Sequence, residues 1–151
     1  MKELTILSGM RSVSAAQTAA DAGAIAALNL FTGARGLTLT ERDAREIAET
    51  RQKALRENER VELGVGAVEK LILVFSQSPY TEPRDWAELC NTLVECFYFI
   101  KTETHDTVHD NELIRAMLDE FEGHCEGSIS MFESRMEILA RRLCGGGDAD
   151  E

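Results

Sequence analysis

The stretch WAELCNTLVECFYFI, residues 86–100, is apolar around most of a helical circumference. Its large side chains recur every three or four positions, the spacing of one helical face, at Trp86, Leu89, Cys90, Leu93, Cys96, Phe97 and Ile100. The strip expected to face solvent is narrow and contains Glu88, Asn91 and Glu95. A helix of this kind must be covered on several sides by other elements. The pattern therefore predicts a central helix near residues 83–101.

Five further segments carry helical signals, and no pair of strands is visible. They lie at residues 13–31, 40–60, 68–75, 113–121 and 129–143. Residues 1–12 have no clear period and are either a loose lead or a short extra element. A chain of 151 residues has the size of one domain. We predict an all-α protein, a single compact helical bundle of about five to six helices over residues 1–143, followed by a disordered acidic tail at residues 144–151.

The segment from Leu37 to Arg60 has the clearest local signals for the start of a helix. Thr40 can cap it, and Asp43 stands three residues later, as in a capping box. Opposite charges also recur four residues apart, as Glu41–Arg45, Arg42–Glu46, Arg45–Glu49 and Glu49–Lys53. Because its apolar face is thin, we expect this helix to lie on the surface along one edge of the core.

The charge balance argues against two classes of partner. The net charge is −11, and residues 101–151 alone contain five Lys or Arg against 13 Asp or Glu. Nucleic acids are bound largely through Lys and Arg, so nucleic-acid binding is not expected. The same balance argues against anionic membrane surfaces. A set of basic residues in the segment 41–60 is interleaved with six acidic ones: Arg42, Arg45, Arg51, Lys53, Arg56 and Arg60. These residues are either a local anion or partner-docking patch, with Arg45, Arg56 and Arg60 leaning to one side, or, the preferred interpretation, surface charge neutralised by its neighbours.

The four cysteines are Cys90, Cys96, Cys125 and Cys144. None is spaced as C-x-x-C, and reduced cysteines that act as small apolar residues are the expected state. We predict no signal peptide and no membrane-spanning segment, because no apolar run approaches the ~18 residues that a span requires. The expected location is therefore the cytoplasm.

Part of the chain resembles a known family. The strings LTERDAREIAETRQKAL (39–55) and RVELGVGAVEKL (60–71), followed by SPY, NELI and EGS, are similar to those of a small bacterial family of unknown function found mainly in anaerobic gut bacteria. The resemblance covers roughly residues 37–143. It implies a small helical intracellular protein, and it supplies no activity, cofactor or catalytic residue.

The histidines give the sharpest enzymatic hypothesis. His105 and His109 are four residues apart, so on a helix they would share one face, as metal-binding pairs do. With His124 as a third ligand they would form a three-histidine metal site with an open position. The alternative is a solvated acidic loop, which Thr102, Thr104 and other poor helix formers favour. The loop is the preferred interpretation.

No other pattern indicates catalysis. Gly64-Val-Gly66 with Lys70 lacks the remainder of a phosphate-binding loop, and the adjacent pair His124–Cys125 would point in different directions on a helix. We predict no catalytic or cofactor-binding residue and no cofactor. The leading hypothesis is a non-catalytic protein-interaction or structural module, with a homodimer contact involving residues 13–31. The alternative is a metal-dependent enzyme using the three histidines.

Overall fold

A computed structural model describes residues 2–145, with side chains described from residue 15 onward. It contains eight α-helices in this part of the chain: α1 (Lys2–Ala27), α2 (Asn29–Thr32), α3 (Glu41–Glu57), α4 (Gly66–Phe75), α5 (Trp86–Glu103), α6 (Asp110–Glu122), α7 (Ile129–Ser134) and α8 (Met136–Cys144). Single 3-10 turns occupy Gly33–Arg35 and Pro83–Asp85. No strand occurs in residues 2–145, which confirms the all-α prediction.

The predicted central helix is α5, and it is confirmed as the helix around which the others pack. It contacts α3, α4, α6, α7 and α8. Its buried side chains are Trp86, Leu89, Cys90, Thr92, Leu93, Val94, Cys96, Phe97, Tyr98 and Ile100. The α-helix begins at Trp86 because Pro83 opens a 3-10 turn just before it. All seven residues of the predicted apolar stripe are therefore buried, as expected.

The number of helices is larger than predicted, for two reasons. α1 begins at Lys2, whereas apolar periodicity reveals a helix only through the face that it buries, and residues 2–12 have no such period. The segment predicted at residues 129–143 is two helices, divided at Arg135, whose backbone leaves the helical region with φ −104° and ψ 6°. Ser128 caps the first of these two helices by accepting a hydrogen bond from the Met131 amide.

α1 and α3 form an antiparallel pair. The amide side chain of Asn29 exchanges two hydrogen bonds with the backbone of Leu39, at 2.9 and 2.8 Å. Further from the connection, Asp21 contacts Arg51 at 2.8 Å. The capping box of Thr40 and Asp43 is present as predicted. These contacts fix how α1 lies along α3.

Four other sequence-based predictions, on charge pairs, membrane spans, the tail and the domain boundary, are confirmed in part or stay untested. Of the four predicted charge pairs on α3, Arg42–Glu46 is the one within 4.0 Å among the side chains described from residue 15 onward. The helices of the described chain include none long and apolar enough to cross a membrane. Residues 146–151 of the predicted tail lie outside the described residues, whereas Cys144 belongs to α8. The single-domain boundary at residue 143 stays a prediction.

Candidate functional site

The structure does not bring the three histidines of the predicted metal site together. His105 lies in the turn after α5, and His109 directly precedes α6. His124 follows the other end of α6, and a helix of 13 residues separates its ends by about 20 Å. Among the side chains described, no group of three His, Cys, Asp or Glu is placed to hold a metal ion. Within the described residues of a single chain, the three histidines do not form one site. The three-histidine metal site therefore stays a prediction.

Each histidine has a local environment of its own. His105 and Asp106 both have left-handed backbone conformations, with φ values of 54° and 60°. Arg60 contacts the Asp106 carboxylate at 2.5 Å and, by hydrogen bonding to it, lowers the pKa of Asp106. His124 contacts the Glu120 carboxylate at 3.4 Å through Nδ1. The loop of His105 thus contacts Arg60 through Asp106, whereas His124, just beyond α6, contacts Glu120.

A buried charge network centred on Arg51 is the most distinctive polar feature of the core. The Arg51 side chain on α3 is fully buried, and its Nη1 lies 2.8 Å from the equally buried Asp21 carboxylate of α1. Its Nη2 donates to the backbone carbonyl of Gly64 and lies 3.6 Å from the Glu62 carboxylate. Gln17 and Gln52 donate further hydrogen bonds to Asp21 at 2.9 and 3.1 Å. Arg51 therefore joins α1 to the segment between α3 and α4.

The network continues through Glu62 to α5 and α6. The Tyr98 hydroxyl donates to Glu62 at 2.5 Å, and burial, followed by the interaction with this carboxylate, raises the pKa of Tyr98. Lys101 contacts Glu62 at 3.4 Å and Asp110 at 2.9 Å. The charges thus link four helices and one extended segment, and each carboxylate is held by a cation of the same chain. This arrangement fixes the positions of these helices relative to one another.

The interpretation of Arg51 as one of the self-neutralised surface charges of α3 is wrong, because its side chain is fully buried. Arg51 lies on the buried face of the helix, three residues after Ala48 and three before Ala54. A cation among the apolar positions of a helix is a sequence signal for a buried ion pair, because a charge on a buried face has to be paired inside the core. Its partner, Asp21, lies 30 positions away in the sequence, and the local pattern around Arg51 does not identify it.

A second buried carboxylate, Glu120, fastens the last three helices. It lies on α6 and accepts a hydrogen bond from Nε of Arg135, the residue at which α7 and α8 meet. Arg142 of α8 contacts its other oxygen at 3.4 Å. The backbone break at Arg135 thus lets that side chain reach Glu120.

The buried cysteines are packing residues. Cys90 and Cys96 face the core of α5, and Cys125 lies just beyond α6. Burial raises the pKa of the Cys90 thiol, raises that of Cys96 to about 12, and raises that of Cys125 to about 11. A thiol with a raised pKa carries little thiolate at neutral pH and is a poor nucleophile. Cys144, at the end of α8, is exposed.

These environments predict a large difference in thiol reactivity. At neutral pH a small alkylating reagent should label Cys144 first, while Cys90, Cys96 and Cys125 react only as fast as the fold opens. The labelled positions are read by peptide mass spectrometry over time. All four cysteines should react rapidly in denaturant, and labelling of Cys90 in the folded protein as fast as Cys144 would contradict the prediction.

The most exposed large apolar side chains of the described residues lie at two places on the surface. Leu30 and Phe31 on α2 are 86% and 70% exposed. Val61 and Leu63, in the extended segment after α3, are 90% and 99% exposed. The two places differ in their surroundings, because Leu30 and Phe31 continue the outer face of α1, whereas Val61 and Leu63 flank the partly buried Glu62. Exposed apolar groups that continue an uncharged helical face are candidates for a protein contact.

Comparison with known proteins identifies a family and no relative of known activity. A family model described as "Family of unknown function (DUF6323)" matches residues 24–148. No curated protein and no solved structure shows significant similarity to the chain.

Proposed function

Because the chain belongs to DUF6323, a family of unknown function, we propose a role for it from its own surface. The protein is a non-catalytic interaction module that pairs with a second copy of itself through the outer face of α1 and α2. The observation that carries this proposal is the exposure of Leu30 and Phe31 at the end of a row of small, uncharged, exposed residues on α1, called the seam below.

The seam consists of exposed small residues that lead to Leu30. Ala16, Ala20, Gly23 and Ala27 are separated by four, three and four positions, and Leu30 follows three positions later. Alternating steps of three and four are the spacing by which one helix packs along another. Small side chains allow the two helix axes to approach closely. A partner helix on this seam would cover Leu30 and Phe31 as well.

The charge distribution favours a second copy of the chain at this face. Two copies of a molecule with a net charge of −11 repel each other over most of their surfaces. Residues 15–34 contain a single charged residue, Asp21, and Arg51 pairs with it inside the core. A contact between two such faces brings no exposed charge against its own kind. This supports the homodimer contact predicted for residues 13–31.

We expect the protein to dimerise in the micromolar range, and the double variant Leu30→Glu/Phe31→Glu to weaken the dimer at least tenfold. A tenfold change corresponds to about 1.4 kcal/mol, a small part of the cost of forcing two glutamates into an apolar contact. Sedimentation velocity over a concentration series measures the dimer dissociation constant directly.

The matched control is Val61→Glu/Leu63→Glu, which adds the same charge at the other exposed apolar pair. It should leave the dissociation constant within about threefold of the wild-type value. A wild-type protein that is monomeric at high micromolar concentration would refute the proposal. Equal loss of dimer in both double variants would show that added charge, not the α1–α2 face, controls association.

A further inference from the structure

A groove runs along the outer edge of the central helix, on a face separate from the α1–α2 seam. Three adjoining cavities of about 210, 380 and 300 Å³ form it. The first two share Glu95 and Phe99, and the last two share Glu137, so the three are continuous. One wall is α3, the other is formed by α7 and α8, and α5 is the floor.

The floor of the groove is apolar. Phe99 is half-buried and faces the groove from α5, beside the buried Cys96. Ala54 contributes from α3, and Met136 and Ala140 contribute from α8. The lining residues of α5 run from Glu95 to Glu103, which corresponds to about 12 Å of helix, or a little over two turns. A groove with these dimensions and this floor suits the apolar face of an amphipathic helix.

The rim of the groove is strongly acidic. Five carboxylates line it, at Glu57, Glu95, Glu103, Glu133 and Glu137, against two cations at Lys53 and Arg141. Lys53 lies 4.0 Å from Glu57 and pairs with it. The remaining four carboxylates have no cation within 4.0 Å among the side chains that the structure describes. The groove therefore presents uncompensated negative charge along α5 and along the wall formed by α7 and α8, beside its apolar floor.

We propose that this groove binds a basic amphipathic helix of a partner protein. The apolar side of that helix packs on Phe99 and Met136. Its Lys or Arg side chains reach the four unpaired carboxylates along α5 and along the wall formed by α7 and α8. Another copy of this chain is a poor occupant because its net charge of −11 would add repulsion to an acidic rim. The proposal therefore concerns a different partner and a different surface from the α1–α2 dimer.

The test uses the full-length protein and a synthetic helical peptide with leucines at helical spacing and lysines elsewhere. A second peptide has glutamate in place of each lysine. Calorimetric titration at low salt should show binding of the lysine peptide and none of the glutamate peptide. In the double variant Glu95→Lys/Glu137→Lys, affinity for the lysine peptide should fall at least about tenfold, since two attractive rim charges become repulsive.

Glu112→Lys/Glu122→Lys is the matched control, because it places the same charge change on α6 and outside the groove. Its affinity should stay within about threefold of wild type, which separates groove binding from attraction to an acidic molecule as a whole. Circular dichroism establishes that both variants are folded. Phe99→Ala should also weaken binding, through the floor and not the rim.

Three outcomes would overturn the proposal: no binding of the lysine peptide, equal loss in the two double variants, or equal binding of the glutamate peptide. Amide chemical-shift changes on peptide addition that map to α1 and α2, with none along α5, would also overturn it. The readout is independent of the dimer test, because monomeric protein can still bind the peptide in the groove.

Discussion

Replacing Arg51 by methionine is expected to lower the free energy of unfolding by about 3–5 kcal/mol. Methionine fills much of the same volume but removes the guanidinium that holds the buried Asp21 carboxylate and the Gly64 carbonyl. Removing one partner of a buried ion pair leaves the other charge without compensation in the core, which costs more than the pair itself contributes. Urea denaturation followed by far-ultraviolet circular dichroism gives the change in stability.

Arg56→Met is the matched control for this variant. Arg56 lies on the same helix but is exposed, so its replacement should change stability by no more than about 0.5 kcal/mol. The double variant Asp21→Asn/Arg51→Met tests the cause, because it removes the stranded charge. Stability should recover by at least about 1 kcal/mol relative to Arg51→Met alone. If Arg51→Met and Arg56→Met were equally stable, the Arg51 network would have no structural role.

Replacing Phe75 by alanine is expected to cost about 3–5 kcal/mol, through loss of burial and a residual cavity. Phe75 at the end of α4 is fully buried and packs its ring against Phe121 of α6 and Phe132 of α7, with centroid distances of 5.4 and 6.4 Å. Phe121 and Phe132 also contact each other at 5.9 Å. The three rings thus join three helices at one point, and a cavity there touches all of them.

The same denaturation experiment measures this effect, with Leu63→Ala as the exposed counterpart. The Leu63 side chain is 99% exposed, so its truncation should change stability by less than about 0.5 kcal/mol. A loss below about 1 kcal/mol for Phe75→Ala would mean that the aromatic cluster collapses around the deletion without cost, contrary to its close packing. The variant should also unfold at a lower urea concentration with an unchanged slope, because the same surface is exposed.

The central helix was predictable from sequence because its apolar side chains recur at the spacing of a helical face, which indicates that the face is buried. Leu93 and Phe97 of α5 are completely buried, as their stripe required. The capping box at Thr40 was predictable for a similar reason, since all of its hydrogen bonds lie within four residues. Signals of this kind depend on local geometry alone. They fixed the fold class without any knowledge of which helix would lie beside which.

The candidate surfaces were less predictable. The homodimer contact was predicted for residues 13–31 as a whole, and the fold shows that the large apolar side chains exposed in this segment are Leu30 and Phe31. Glu95 was expected to be solvated, but the groove around it exists only because α3 and α8 stand on either side of α5. A sequence pattern records which residues prefer water. It does not record where the neighbouring helices leave a gap.

By itself the sequence determined that this chain forms a helical bundle around α5. A helix that is apolar around most of its circumference is stable in water only when other helices cover it. The tertiary structure alone decided which charges meet. Asp21, Arg51 and Glu62 come together because the packing of α1 on α3 closes a gap of 30 residues along the chain. It likewise separated His124 from His105 and His109 by the length of α6, since a rigid helix holds its two ends apart.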